Sequence, residues 1–432
     1  MNKTKILFVS DSVQRTSGVA IQSLKLCKGL LKTGRYNVVQ IAGGDSSSPS
    51  APIYYEGIKL YTTQEPYGSP NTLRYVMVAE RPDIVLAFSD PRFFTWLFSM
   101  DNEIRGKARL IFYHTWDNAP FPKFNLPWYV ACDQIVMLSH FSYELMSSHG
   151  VPCQCIPHGA DPSEFFPLEE LERNKARQDL IMQSRADRQV NFIIFWNNRN
   201  IFRKRPGDVL YSFKLFSEKH PDTLLLLNTD IVDMEGVDLM HLIDDLDIKA
   251  PIVFNPSRVK SDRLNLMYNV ADVTINIAVN EGFGLCVLES LCAGTPVIVT
   301  KTGGMPEQAC EAVHREAIDP DIEGNDGKGR PEYDEIVEFG KVLEPDSQMM
   351  FGTLGAPYIF QDIVNYKTIL SALEEAYQRT QRNDWKQTLG LQGRDHIIKN
   401  FHIDTTVKLW DELLQQLLTT PSPYKRWKVL VH

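Results

Sequence analysis

The sequence predicts an α/β protein built from two consecutive doubly wound parallel sheets. With 432 residues, the chain is too long for one ordinary hydrophobic core and suits two domains. Short, continuously apolar runs, typical of buried parallel strands, alternate with stretches of helical spacing. This alternation breaks near residues 156–162 and then begins again, which divides the chain into two series.

The first series begins with an apolar run at residues 5–10, a polar turn at 11–18 and a helical stretch that continues to residue 31. Its further strands are predicted at residues 37–41, 83–88, 110–113 and 134–138. A charged helical stretch at 168–188 follows the break. The strands of the second series are predicted at residues 191–196, 224–227, 252–255, 273–277 and 296–300.

These patterns predict an N-terminal Rossmann-like domain over residues 1–165 and a C-terminal Rossmann-like domain over 166–405. Residues 406–432 are predicted as a helix and tail that return to the first domain. The stretch 311–357 is rich in Gly, Asp and Pro, which predicts an ordered insertion or a mobile loop. We interpret the basic and aromatic tail at 424–428 as part of a docked terminal helix rather than a membrane or nucleic-acid contact.

Composition excludes several classes of protein. The apolar fraction of 43% and the charged fraction of 23% are ordinary for a folded domain, and the net charge of −9 argues against a protein that coats nucleic acid. The seven cysteines are odd in number and scattered, which favours buried thiols in a reducing compartment. No apolar run approaches the roughly 20 residues that span a bilayer. We therefore expect a cytoplasmic protein without integral membrane association.

A glycine-rich segment follows one strand of the second series and opens a helix. Gly282 and Gly284 permit a tight turn that leaves the N–H groups of Phe283, Gly284 and Leu285 available. These donors and the positive end of the helix dipole predict an anion site that suits a diphosphate.

Two glutamates flank this turn. Glu281 precedes the helix, where it can face a sugar beside the phosphates, and Glu289 lies about two turns along the helix. An acidic residue at such a position accepts hydrogen bonds from ribose hydroxyls in dinucleotide-binding folds. The segment therefore predicts a site for a nucleotide sugar.

The segment also resembles a known family. Glu281 and Glu289, eight residues apart around Gly-Phe-Gly, are similar to the E-x7-E motif of the retaining glycosyltransferases of family GT4, and residues 302–307 (TGGMPE) match the loop that follows it. The resemblance implies a GT-B fold, in which two Rossmann-like domains face each other across a cleft. It also implies transfer of a sugar from a nucleotide-diphosphate donor to a hydroxyl acceptor, with retention of the anomeric configuration.

The same resemblance assigns further site residues. Arg199 and Lys204 occupy the positions that contact the donor diphosphate, although Arg203 and Arg205 lie close in sequence and leave this assignment open. His114, directly after a strand, matches a histidine beside the donor sugar. The predicted catalytic residues are therefore His114, Arg199, Lys204 and Glu281.

On the donor side the resemblance adds a glycine of the first domain. Gly18 stands alone where the family has adjacent glycines, and it completes a predicted donor-binding set with Arg199, Lys204, Glu289 and residues 282–285. No Asp-x-Asp motif follows a strand, and the basic residues can neutralise the leaving diphosphate. We therefore expect no requirement for a metal ion.

Two other interpretations remain open at this stage. A sugar-nucleotide epimerase of the same fold would need no acceptor, and a non-catalytic protein would bind a sugar nucleotide without turnover. A pyridoxal-type phosphorylase would share the architecture but is expected to be much longer. The acceptor also remains open. A saccharide or a lipid-linked sugar is favoured, and a small molecule, a protein or a modified DNA base is an alternative.

Overall fold

The computed structural model describes residues 3–43, 51–63, 65, 67–256, 259–313 and 335–421, which form two largely parallel sheets flanked by helices. Within these ranges, no helix combines the length and the apolar character needed to cross a membrane.

The first sheet contains eight strands: β1 (Thr4–Asp11), β2 (Tyr36–Gly43), β3 (Ile53–Tyr55), β4 (Ile58–Thr62), β5 (Ile84–Ser89), β6 (Arg109–His114), β7 (Gln134–Met137) and β8 (Cys153–Cys155). Their order is β3-β4-β2-β1-β5-β6-β7-β8, and only β3 runs antiparallel to its neighbour. The helices of this half are α1 (Gly18–Lys32), α2 (Pro70–Glu80), α3 (Thr95–Phe98), α4 (Asp101–Arg105), α5 (Leu126–Ala131) and α6 (His140–Ser147). The five predicted strands are confirmed to within two residues at each end.

Among its described residues, the second half contributes ten strands: β9 (Phe192–Asn197), β10 (Thr223–Asn228), β11 (Ile252–Asn255), β12 (Val273–Asn276), β13 (Val297–Thr300), β14 (Cys310–Val313), β15 (Glu335–Glu338), β16 (Gly340–Leu343), β17 (Ser347–Phe351) and β18 (Ile359–Ile363). Six of them form a parallel sheet in the order β11-β10-β9-β12-β13-β16. The helices are α7 (Glu170–Ser184), α8 (Pro206–Lys219), α9 (Leu239–Asp245), α10 (Ser261–Val270), α11 (Leu285–Cys292), α12 (Met305–Ala309), α13 (Tyr366–Gln381), α14 (Leu391–Asn400) and α15 (Ile403–Thr419).

The stretch 311–357 is more than the insertion or loop that its composition predicts. Strand β16 lies within it and pairs with β13 at the edge of the parallel sheet, while β14 pairs with β15, and β17 pairs with β18 just beyond it. A four-residue edge strand has too little alternation to stand out beside a Gly- and Asp-rich segment. Residues 314–334 of this stretch lie outside the described residues.

Helix α15 returns to the first sheet. The Trp410 ring lies 5.0 Å from the Tyr113 ring, measured between centroids. The Asp411 carboxylate accepts a hydrogen bond from the Tyr36 hydroxyl at 2.7 Å and pairs with Arg35. The predicted tail contact at 424–428 falls outside the described residues, and the domain limits stay predictions.

Both faces of the first sheet are buried, so a ligand can approach the sheet at the ends of its strands. On β1, Ile6 and Phe8 pack in one apolar cluster, whereas Leu7 and Val9 pack in another on the opposite face. The second sheet is covered in the same way, with Phe192 and Ile194 opposite Ile193 and Phe195. In parallel sheets of this kind, ligands bind beyond the carboxyl ends of the strands.

Candidate active site

A cavity of about 620 Å³ lies between the carboxyl ends of the two sheets. The first half lines it with residues 16–19, 88–90 and the segment after β6. The second half lines it with the last residues of β9, β10 and β11 and with residues 281–286. The sequence-predicted donor segment therefore faces residues of the N-terminal half across one cavity.

The glycine-rich turn before α11 has the geometry that its sequence predicts. Gly284 has φ of +93°, a conformation that favours glycine, and α11 begins at the next residue. A Cβ atom on Gly282 would lie 2.9 Å from Oδ1 of Asp117, which reaches the turn from the first half of the chain. Glycine at both positions therefore keeps the turn tight and open to the cavity.

The following loop, residues 302–307, supports this turn and joins the two halves. The Gly304 N–H donates to the Glu281 carbonyl at 3.2 Å, and a Cβ atom on Gly304 would lie 2.6 Å from the Gly282 carbonyl oxygen. The Glu307 carboxylate accepts hydrogen bonds from the N–H groups of His140 at 2.9 Å and Phe141 at 2.7 Å, at the start of α6. The second motif of the resemblance is thus a bridge between the halves.

Lys204 and Glu281, both predicted as catalytic, are in direct contact. The Lys204 ammonium pairs with Glu281 Oε2, and Arg203 Nη1 lies 3.2 Å from the same oxygen. Burial lowers the pKa of Lys204 to about 7, and the Arg203 cation acts in the same direction. The three side chains form one charged cluster on the cavity wall.

Arg199 also lines the cavity, but in this structure acidic side chains engage it. Its guanidinium donates to both Asp233 oxygens, at 2.7 and 3.0 Å, and to Glu235 at 3.1 Å. Arg205 turns away and pairs with Asp208 on α8. The sequence left Arg203 as an alternative to Arg199. In the structure it is Arg203, and not Arg199, that contacts Glu281.

Glu289 lies on α11 with 9% of its surface exposed, and it lines the cavity as predicted. Its Oε2 accepts a hydrogen bond from the Tyr268 hydroxyl at 2.8 Å. Burial raises the pKa of Glu289 to about 7, while Lys25 and the Tyr268 hydroxyl act in the opposite direction. Near neutral pH this side chain therefore exchanges between its acid and its carboxylate.

Gly18 lies where the sequence predicts, at the first turn of α1, and it lines the cavity. Ser17 caps the helix by accepting a hydrogen bond from the Ala20 N–H at 3.1 Å. A Cβ atom on Gly18 would lie 2.9 Å from Cδ1 of Leu285 at the start of α11. The glycine therefore permits a close approach between the two halves.

His114 is the site prediction that the structure does not bring to the cavity. It is fully buried, its ring stacks on Phe112, and its Nε2 lies 2.8 Å from the Tyr129 hydroxyl. Residues alternate between faces along β6, and Phe112 and His114 point to the face opposite Tyr113. Burial lowers the pKa of His114 to about 3, so this histidine is a neutral core residue.

His158, which follows β8, lies in the cavity wall instead. Its Nδ1 lies 2.9 Å from the Tyr113 hydroxyl, which donates to the Ile156 carbonyl at 2.8 Å. Because Tyr113 has one hydroxyl proton, His158 must be the donor through Nδ1, which leaves its Nε2 as an acceptor. Burial lowers the pKa of His158 to about 3.

Asp117 is a second cavity residue that the sequence did not single out. It follows His114 by three residues, and its carboxylate lies 4.0 Å from Arg203 and against the glycine-rich turn. Its only sequence signal was its place in the loop after β6.

Comparison with known proteins identifies the second half. Residues 177–324 match the family described as glycosyl transferases group 1. The chain is 28% identical over 156 residues to a D-inositol 3-phosphate glycosyltransferase of Corynebacterium jeikeium, covering 35% of this chain and 36% of that protein. It is 22% identical over 202 residues to a mannosylfructose-phosphate synthase of Agrobacterium fabrum, covering 44% of this chain and 43% of that protein. The matched region thus spans less than half the length of these relatives.

Solved structures extend the similarity of fold to nearly the whole chain. Sucrose-phosphate synthase from Thermosynechococcus elongatus superposes with a TM-score of 0.68 and 15% identity, covering 96% of this chain and 99% of that one. Anabaena HepE, solved in complex with UDP-glucose, superposes with a TM-score of 0.66 and 15% identity, covering 95% and 99%. The protein therefore has the GT-B fold, and residues 177–324 of its second half are similar to the glycosyl transferases group 1 family.

Proposed function

We propose that the protein is a retaining glycosyltransferase that moves a sugar from a nucleotide-diphosphate sugar to a hydroxyl acceptor and requires no metal ion. The observation that supports this most directly is the cavity between the two sheets. In it a glycine-rich helix start, basic side chains and two glutamates meet. The retention of configuration rests on the resemblance to family GT4.

The diphosphate of the donor would bind at the start of α11. The positive end of this helix dipole faces the cavity at Leu285, and Lys204 and Arg203 lie beside it. In the transfer, the bond between the anomeric carbon and the diphosphate breaks and the acceptor oxygen bonds to that carbon. The acceptor proton passes to the leaving phosphate. Basic groups would stabilise the charge that develops on this phosphate, which is a role that a metal ion can also fill.

The two glutamates would contact different parts of the donor. Glu281, held by Lys204 and Arg203, is placed to meet hydroxyls of the transferred sugar, and Glu289 lies further along α11 for the ribose. The UDP-glucose in the Anabaena structure supports a nucleoside diphosphate sugar as the donor.

The acceptor would enter from the first half of the chain. Several side chains that line the cavity there are polar, among them Thr16, Ser89, Asp90 and Asp117, and can bind hydroxyl groups. The names of the relatives refer to inositol phosphate and to a mannosylfructose phosphate, which supports a saccharide or a similar polyol as the acceptor.

The test is incubation of the purified protein with a panel of nucleotide sugars, with and without a chelator, while nucleotide release and thermal stabilisation are followed. One donor should stabilise the protein equally in both conditions. Lys204→Met should lower turnover about 100-fold, the size found for loss of one group that stabilises developing charge. Lys219→Met, which removes an exposed lysine on α8, is the matched control.

Two outcomes would contradict the proposal. A protein that no nucleotide sugar stabilises does not bind such donors. An altered nucleotide sugar formed without any acceptor would indicate an epimerase instead.

A further inference from the structure

Three asparagines end three neighbouring strands beside the cavity. Asn197, Asn228 and Asn255 are the last residues of β9, β10 and β11, and the strand register pairs Asn228 with both of the others. The Asn255 amide donates to Asn228 Oδ1 at 2.6 Å, and the Asn228 amide donates to Asn197 Oδ1 at 2.7 Å. All three residues line the cavity, and we name this row the asparagine ladder.

The ladder ends on Glu289. The Asn197 amide donates to the Tyr268 hydroxyl at 2.8 Å, and that hydroxyl donates to Glu289 Oε2 at 2.8 Å. An ionised carboxylate only accepts hydrogen bonds, so Tyr268 must donate and its oxygen must accept from Asn197. The orientation of each further amide follows in turn. One negative charge therefore orients all four donors in the same direction.

This chain of hydrogen bonds determines how Glu289 meets a ligand. Tyr268 is fully buried and engages Oε2, so the other carboxylate oxygen is the one presented to a ribose. A hydrogen bond to a charged acceptor is about twice as strong as one between neutral groups. The ladder thus stabilises the form of Glu289 that binds a hydroxyl most tightly.

We infer that the asparagine ladder and Tyr268 are positioning residues that hold Glu289 ionised and oriented toward a ribose diol, and thereby make the site select ribonucleotide over 2′-deoxyribonucleotide donors. This inference rests on the proposed function, since it concerns the donor of the same cavity. It adds residues from three strands to a role that sequence reasoning gave to Glu289 alone.

The groups around Glu289 determine how the selectivity depends on pH. Burial raises the pKa of Glu289 to about 7, Lys25 on α1 and the Tyr268 hydroxyl lower it, and Glu164, which pairs with Lys25 at 2.7 Å, raises it. Cys286 on α11 also lies close to this carboxylate. Below pH 7 Glu289 gains a proton and loses the charge-assisted bond, so the preference for the diol should weaken. Without the Tyr268 hydroxyl the pKa of Glu289 should rise further.

The experiment compares two ligands at each pH. The nucleoside diphosphate that stabilises the wild-type protein best and its 2′-deoxy analogue are titrated calorimetrically between pH 5.5 and 8.5. Their ratio of Kd values removes the contribution of the diphosphate contacts, including those of Lys204, because both ligands share them. The ratio should be about tenfold at pH 8, the size of one hydrogen bond to a charged group, and fall with a midpoint near pH 7.

Two variants test the ladder itself. Tyr268→Phe keeps the buried ring and should move the midpoint up by about one pH unit. Asn228→Ala breaks the ladder two bonds away from Glu289 and should move the midpoint in the same direction by less. Asn191→Ala is the matched control, because this asparagine directly precedes β9, at the end of that strand away from the cavity, and its amide donates to Asp222 at 2.8 Å.

The outcomes separate the two proposals. If the wild-type protein binds no nucleoside diphosphate, the proposed function is contradicted. The role of the ladder is contradicted, while the donor site stands, if the protein binds one but the ratio of Kd values does not change with pH. The same holds if the midpoints of Tyr268→Phe and Asn228→Ala equal that of the wild-type protein.

Discussion

Replacing Glu289 with glutamine should stabilise the protein at alkaline pH while weakening donor binding. Burial raises the pKa of Glu289 to about 7 from an ordinary value of 4.5. At 1.36 kcal/mol per pH unit, this difference corresponds to about 3 kcal/mol. Because folding raises the pKa of Glu289, the folded protein loses stability as the pH rises. This loss accumulates between pH 4.5 and 7 and is constant above pH 7. Glutamine carries no such cost.

The assay is urea unfolding of the wild-type protein and Glu289→Gln at pH 5, 6, 7 and 8. The difference in free energy of unfolding, variant minus wild type, should increase by about 2.5 kcal/mol between pH 5 and pH 8. Tyr268 can still donate to the glutamine oxygen, so the buried hydrogen bond is kept. Glu412→Gln, at an exposed position on α15, is the matched control for the loss of one carboxylate.

A difference that stays constant across this pH range would refute the reasoning, because the cost would then not arise from the charge of Glu289. A decrease with rising pH would do so more strongly, since it would mean that the cavity favours the carboxylate. In that case the measured pKa of Glu289 would lie below 4.5.

Three further predictions follow from other contacts. Gly284→Ala should lower the free energy of unfolding by about 1–2 kcal/mol, measured in urea, because φ is +93° and the new Cβ atom would lie 2.9 Å from Cγ of Met305. Glu307→Ala removes two hydrogen bonds between the halves, so small-angle X-ray scattering should show a larger radius of gyration than for Glu311→Ala. His114→Gln should lower Tm by several degrees and leave KM for the donor within about twofold of wild type, since His114 lies away from the cavity.

The strands of both sheets were predictable because each is a continuous apolar run. Leu224 to Leu227 on β10 and Ile193 to Trp196 on β9 are buried on both faces, so their sequence carries the signal without alternation. Strands β3, β8 and β16 have three or four residues each, and their sequences contain tyrosine, glutamine or lysine. Runs this short do not separate a strand from a loop, and only the neighbouring strand decides their conformation.

The candidate site was predictable where one continuous segment carries it. Residues 281–286 and Glu289 line the cavity because their turn and helix are local structure. The prediction that His114 lies at the site did not anticipate the face of the sheet to which its side chain points. Successive residues of a strand point to opposite faces, and β6 ends at His114 itself. His158 and Asp117 reach the cavity only through the packing of the two halves, which no local pattern encodes.

The contacts between the halves explain why the second sequence motif lies outside the cavity. Glu307 binds the start of α6, and Asn118, after β6, donates to Thr302 at 3.2 Å and to Asp362 at 2.7 Å. These bonds attach the loop that supports the glycine-rich turn directly to the first sheet. A change in the separation of the halves must therefore move residues 302–307 and, through Gly304, the turn that would hold the diphosphate. In this arrangement, the position of the acceptor half and the shape of the donor site are mechanically coupled.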